Sequence, residues 1–162
     1  SKKSLKELAK PFDTVSICLS KGLGCPVGSL VLGKKEDIHS KGIRLRKVFV
    51  GGMRQAGMLA AAGTYALSNH VDRLEKDHIA AKKFSQALLE SDLFTLEYPV
   101  ETNMVWFRVK KNAHLIQKAF EKEGVNLLAL TDELLRAVFH LDVSREGVQK
   151  ACGVAKSFKG AL

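Results

Sequence analysis

From residue 14 to residue 20 the chain alternates: Val15, Ile17 and Leu19 are apolar, while Thr14, Ser16, Cys18 and Ser20 are small and polar. A period of two predicts a strand over residues 12–20 with one greasy face. Lys21 arrives where the alternation stops, and Gly22, Gly24, Pro26 and Gly28 then form a loop stripped of side chains. Ser29–Gly33 is a second short apolar run and reads as the neighbouring strand. Upstream, residues 4–10 read as the end of a helix or a linker, closed by Pro11. Residues 34–47 are charged, with Ile38, Ile43 and Leu45 as their apolar points, which predicts a helix weakened by Gly42. A segment opening at residue 50 and running to about residue 67 is rich in small residues (Gly57, Ala60, Ala61, Ala62, Gly63, Ala66), suited to a helix that packs with its backbone close to a neighbour.

The second half has a different grammar. Asp72 suits the cap of a long helix to about residue 90, with Leu74, Ala81, Phe84 and Leu88 on one stripe. Strands are predicted over residues 94–98, 102–109, 125–130 and 134–140. A helix capped by Asn112 and stopped by Gly124 carries Leu115, Ile116, Ala119 and Phe120 inward. Another, capped by Ser144, buries Val148, Ala151, Ala155 and Phe158. Strand, glycine turn, strand and helix at the start is an α/β pattern, and residues 102 onward read as a small two-layer α+β domain. The expected domains are residues 1–70 and 71–162, with no internal repeat.

Composition sharpens this only in part. With 162 residues, 46% hydrophobic and 27% charged, the chain is of ordinary globular composition and long enough for a core. The balance of 26 basic against 17 acidic residues, a net +9, points to anionic partners: phosphates, carboxylates or nucleic acid. Aromatics are few and not interleaved with basic runs, which argues against a stacking surface for single strands. Cys18, Cys25 and Cys152 lack metal-type spacing and read as reduced thiols in a reducing compartment. No signal peptide and no membrane-length apolar run is visible. The chain does not open on methionine, which processing or upstream coding sequence would both explain.

Candidate chemistry rests on a few positions. Lys21, at a strand end beside backbone that a ligand can approach, is a candidate amine nucleophile, or else a surface lysine entering a flexible loop. Arg54 stands at the expected start of the small-residue helix, where the dipole favours an anion, or else makes a routine ion pair. Arg136, Val138 and His140 share one strand face, with Ala137 and Phe139 on the other. Arg136 is a guanidinium fork awaiting a carboxylate, or an edge-strand arginine paired with Asp132 or Asp142. Trp106 reads as a core filler, and His39, His70, His78 and His114 as exposed. No catalytic serine triad is legible, no metal site is expected, and Gly22, Gly24 and Gly28 do not match the dinucleotide fingerprint.

The segment Cys18-Leu19-Ser20-Lys21-Gly22-Leu23-Gly24-Cys25-Pro26-Val27-Gly28-Ser29 resembles the cofactor-lysine segment of the low-specificity L-threonine aldolases. These are pyridoxal-phosphate enzymes of the aspartate aminotransferase fold (fold type I). Arg44-Leu45-Arg46-Lys47 followed by Gly51-Gly52-Met53-Arg54-Gln55-Ala56-Gly57 is similar to a second signature at the right distance, and two further stretches, residues 102–105 and 136–144, follow in order. The resemblance implies the end of a large pyridoxal-phosphate-binding domain followed by a small α+β C-terminal domain. It implies that Lys21 holds pyridoxal 5'-phosphate as a Schiff base, that Arg136 clamps the substrate carboxylate, and that Lys47 and Arg54 lie near the cofactor and its phosphate. The implied reaction cleaves L-threonine or L-allo-threonine to glycine and acetaldehyde, in a cytoplasmic homotetramer built from dimers, with neither nucleic acid nor membrane as partner. Cys25 stands where alanine is usual, and Ala137 and Phe139 replace leucine and threonine, with Phe139 expected to face away from the site. The resemblance covers about the C-terminal half of a family member. The other half would carry an aspartate opposite the pyridine nitrogen, a histidine on the ring, most phosphate contacts and most of the central sheet. A truncated, non-catalytic partner subunit is the alternative reading.

Overall fold

The computed structural model describes residues 3–158, and the chain divides into two compact units between Val71 and Asp72. In the first unit, Ser4 and Glu7 form a reciprocal capping box on α1 (Leu5–Ala9), the Glu7 backbone N–H donating to Ser4 Oγ at 3.3 Å and the Ser4 N–H to Glu7 Oε2 at 2.8 Å. β1 (Thr14–Cys18) and β2 (Ser29–Gly33) pair antiparallel as a hairpin, with Thr14 opposite Gly33 and Cys18 opposite Ser29. Val15 and Ile17 are half-buried while Thr14, Ser16 and Cys18 are exposed, as the alternation predicts.

The charged helix forms, but not regularly. α2 (Lys35–Asp37) passes into a π-helical turn over Ile38–Gly42 before α3 (Ile43–Val48) resumes the α pattern. The wide turn ends on Gly42, the residue with the least side chain to hold a regular helix. α4 (Gly57–Asn69) buries only Gly63 and Ala66. The buried apolar residues of this unit are few: Leu19, Leu23, Cys25 and Ala66. Phe49, Val50 and Met58 are 78%, 90% and 86% exposed, so a large apolar area of this unit faces outward.

The second unit has a conventional core. Its four-stranded antiparallel sheet runs β3 (Thr95–Leu96), β4 (Met104–Arg108), β6 (Leu134–Val138), β5 (Leu128–Ala129). The helices α5 (Leu74–Leu89), α6 (Ala113–Lys122) and α7 (Arg145–Ser157) bury their apolar stripes against one face of it. That core joins Phe84 and Leu88 to Val105 and Phe107, Ile116 and Phe120, Leu135 and Ala137, and Ala151 and Ala155. Phe84, Phe107 and Phe120 are fully buried, and truncating any of them to alanine costs about 3–5 kcal/mol. Gly124, at φ +71°, ends α6: its N–H donates to the Glu121 carbonyl at 2.8 Å and that of Val125 to the Phe120 carbonyl at 2.9 Å. Ser144 Oγ accepts from the Gly147 N–H at 3.1 Å and caps α7.

Three local expectations give way. α5 starts after Arg73, and Asp72 offers its backbone carbonyl, not its side chain, to Glu75. Asn112 precedes α6 in a left-handed conformation, φ +63°, and its side chain caps nothing. Leu115 is exposed, and Ala113 takes the inward place.

Candidate functional site

The glycine loop that carries Lys21 is the ten-residue connection of the β1–β2 hairpin, and it is fastened from inside. Leu19 N–H donates to the Gly28 carbonyl at 2.9 Å, and Cys25 N–H to the Leu19 carbonyl at 3.1 Å. The Gly24 N–H closes a tight turn on the Lys21 carbonyl at 2.9 Å. Gly24 and Gly28 hold φ of +73° and +127°, conformations that side-chain-bearing residues adopt only with strain. Leu19, Leu23 and Cys25 point inward, with Leu19 Cδ1 3.3 Å from where a Cβ on Gly63 would stand. The small-residue stripe of α4 therefore admits the loop's anchor.

Two contacts, from α4 and from its C-cap residue, complete the fastening. The Cys25 thiol lies 3.7 Å from the Ala62 carbonyl, and the His70 ring Nδ1 lies 2.7 Å from the Leu23 carbonyl, where it must donate. His70 is half-buried and meets the Tyr65 ring edge-on at 5.5 Å. His78 is half-buried too, whereas His39 and His114 are exposed as expected. The role of His70 was not legible in sequence, because its partner is a carbonyl 47 residues away. Within this rigid loop Lys21 is exposed, with no ion partner among the described residues.

Lys47 and Arg54 flank a second turn. Arg46 Nε donates to the Gly51 carbonyl at 2.8 Å, and the Gly51 N–H returns to the Arg46 carbonyl at 2.7 Å, folding the segment back on the end of α3. A Cβ on Gly52 would lie 3.3 Å from Lys47 Cγ, so the glycine admits the lysine stem. Arg54 sits in the bend two residues before the N-cap of α4, not on its first turn, because Gln55 takes φ +51°. Lys47 and Arg54 are exposed and carry no carboxylate partner among the described residues. No hydrogen bond joins this turn to the Lys21 loop among the described residues.

Arg136 belongs to the second unit, on β6. It is not an edge residue: β6 lies between β4 and β5. Leu135 and Ala137 turn into the core and Arg136 and Val138 out of it, onto the sheet face opposite the one that α5, α6 and α7 cover. Phe139 is 5% exposed in the core and so faces away from Arg136. The two expected structural partners are occupied elsewhere. Asp132 Oδ1 accepts from the Asn112 N–H at 3.2 Å, and Asp142 lies 3.5 Å from His140.

Arg108, on the same open face, is the instructive contrast. Both its Nε and Nη2 donate to Glu97, the latter at 3.0 Å, and Glu133 lies 3.5 Å from Nη1. The Arg108 guanidinium holds the Glu97 carboxyl below the usual carboxylate range. Among the described residues Arg136 has no such partner: its Nε is out of water with no acceptor there, and its guanidinium carbon stands over the Trp106 ring at 5.5 Å from the centroid. Trp106 is therefore not a core filler. It is half-buried on the open face, and the signal was present in the strand period, which sets Trp106 opposite Val105 and Phe107. A cleft of about 670 Å3 lies on the other side of the sheet, between α5 and α7, and contains neither residue.

A family model described as beta-eliminating lyase matches residues 1–112. The low specificity L-threonine aldolase of Escherichia coli O157:H7 is 43% identical over 155 residues, which cover 95% of this chain and 45% of that protein. A probable low-specificity L-threonine aldolase of Schizosaccharomyces pombe is 38% identical over 146 residues, 90% of this chain and 37% of that protein. Among solved structures, a putative L-allo-threonine aldolase from Listeria monocytogenes EGD-E superimposes with a TM-score of 0.75 at 16% identity, over 96% of this chain and 47% of that one. A structure of SPT with PLP internal aldimine gives 0.71 at 18%, over 93% and 40%. The chain thus spans somewhat under half the length of the curated relatives it matches.

Proposed function

The chain belongs to the beta-eliminating lyase family, and from that we propose that it is the lysine- and arginine-bearing part of a pyridoxal-phosphate enzyme that cleaves L-threonine or L-allo-threonine to glycine and acetaldehyde. Its fold is that of the C-terminal part of the fold-type-I pyridoxal-phosphate enzymes. In this reading residues 1–70 end the large cofactor-binding domain and residues 71–162 form the small domain.

The observation that carries the substrate class is Arg136, a half-buried cation on an interior strand with no anion of its own among the described residues. A buried donor without an acceptor costs about 1–3 kcal/mol. An incoming α-carboxylate offsets that cost and gains a bidentate, charge-assisted pair. Arg108, saturated by Glu97 and Glu133, has nothing to gain in the same way.

The first unit fits the cofactor by the chemistry of its free groups. Lys21 presents an unpaired amine from a loop pinned by Leu19, Cys25 and His70, and would hold the aldehyde carbon of pyridoxal 5'-phosphate. Arg54 and Lys47, both without carboxylate partners among the described residues, would serve the phosphate side. When bound, that group supplies an electron sink for the carbanion left as the Cα–Cβ bond breaks. The chain's own part is to hold the lysine amine still and to fix the amino acid by its carboxylate.

The family resemblance further implies a cytoplasmic homo-oligomer, a tetramer built from dimers, and the broad apolar surface of the first unit offers area for such an interface. The same surface supports a second reading, in which this chain acts as a non-catalytic partner subunit. Borohydride reduction of the full-length protein with its cofactor distinguishes the readings. We expect the label on Lys21. Label on another lysine overturns the assignment, and no label at all favours the partner subunit. Arg136→Ala is expected to raise KM for threonine about 10- to 100-fold while cofactor affinity changes less than about threefold; the reverse pattern removes the clamp.

A further inference from the structure

We propose that Trp106 is the positioning residue of the carboxylate clamp: its indole, braced by Tyr98, holds Arg136 in place without neutralising it. The inference rests on the clamp reading of Arg136.

Trp106 and Arg136 are direct cross-strand partners in the β4–β6 ladder, so their side chains leave the same sheet face side by side. The guanidinium carbon lies 5.5 Å from the ring centroid, inside the range where a cation is held by the negative face of an aromatic ring. Tyr98 meets the indole edge-on, with ring centroids 6.4 Å apart and an interplanar angle of 74°. On the other side of β6, Arg136 is opposite Leu128, which offers no charge.

The choice of an aromatic partner has a chemical consequence. A carboxylate in the place of Trp106 would fix Arg136 equally well but would occupy its donor fork and cancel its charge, as Glu97 does for Arg108. A ring covers one face of the planar guanidinium and uses none of its N–H donors. The cation is thereby oriented, shielded on one side from water, and still hungry for an anion. This also accounts for how a sheet tolerates an arginine with an unpartnered Nε.

The test uses the full-length, cofactor-loaded protein and five variants. Trp106→Leu is expected to raise KM for threonine about 3- to 10-fold with kcat within about twofold, and Trp106→Phe, which keeps a ring face, to recover most of the loss. Trp106→Glu is expected to capture Arg136 internally and raise KM as far as Arg136→Ala does. In the Arg136→Ala background, Trp106→Leu is expected to add nothing further. Independently of activity, 15N-arginine spectra are expected to show the Arg136 Nε–H shifted by the indole ring current in wild type and returned to an ordinary position in Trp106→Leu. If Arg136→Ala itself leaves KM unchanged, the clamp reading fails. If Arg136→Ala raises KM but Trp106→Leu does not, or if Trp106→Leu acts as strongly without Arg136, the positioning role is overturned. Equal losses of kcat in Trp106→Leu and Trp106→Phe overturn it as well.

Discussion

Cys18 and Lys21 lie three residues apart where β1 runs into its loop, and the thiol feels the neighbourhood. The Ser20 hydroxyl, 3.5 Å from the sulfur, lowers the Cys18 pKa below the usual thiol value, and Lys21 adds a smaller pull in the same direction. Cys152 goes the other way: burial raises it, against the weaker pull of Lys156 and Lys83. Because the thiolate is the reactive form, Cys18 becomes nucleophilic at lower pH than an ordinary thiol and Cys152 only at higher pH. Cys25, 6% exposed, is shut away in the loop's interior. Iodoacetamide labelling read by peptide mass spectrometry across a pH series should therefore modify Cys18 first, Cys152 later and Cys25 last.

At the scale of elements, the hairpin and α4 act as one device for holding a loop still. Its weak point is Gly63, where an added Cβ would stand 3.3 Å from Leu19 Cδ1. Gly63→Ile adds two further branches at that spot, and overpacking of this kind costs about 1–3 kcal/mol. The displaced Leu19 takes with it the Leu19–Gly28 and Cys25–Leu19 hydrogen bonds that set the Lys21 backbone. An absorbance titration of the full-length variant with pyridoxal 5'-phosphate is expected to show affinity lowered about 5- to 100-fold, while an equally drastic change at exposed Gly57, where nothing lies within 4 Å, leaves it unchanged.

At the scale of the molecule, the two units differ in what they bury. The second unit encloses a continuous core from α5 to α7, whereas the first leaves a two-stranded ribbon with Val31 and Leu32 exposed on it, a motif that is marginal by itself in water. Residues 72–158 produced alone are expected to unfold cooperatively and remain monomeric. Residues 3–71 produced alone are expected to bind an apolar dye and associate. Thermal melts by circular dichroism and light scattering check both; a cooperative, monomeric first unit would contradict this account.

Most elements and the place of Lys21 were legible because they depend on local signals: alternation through Val15, Ile17 and Leu19, a capping serine at Ser144, a glycine stop at Gly124. The same local signals misread Asp72 and Asn112, whose capping residue types were overruled by the turns around them. They also misread Trp106, since residue type suggested burial while the strand period set it on the other face. The family resemblance named Arg136, and the chain's periodicity set it opposite Phe139. Only the tertiary structure decided that Arg136 lies on an interior strand, that Asp132 and Asp142 are engaged elsewhere, and that an indole, not a carboxylate, is its neighbour. Those facts depend on which strand pairs with which and in what register. Pairing brings together residues 30 positions apart, and no local pattern in the chain encodes it.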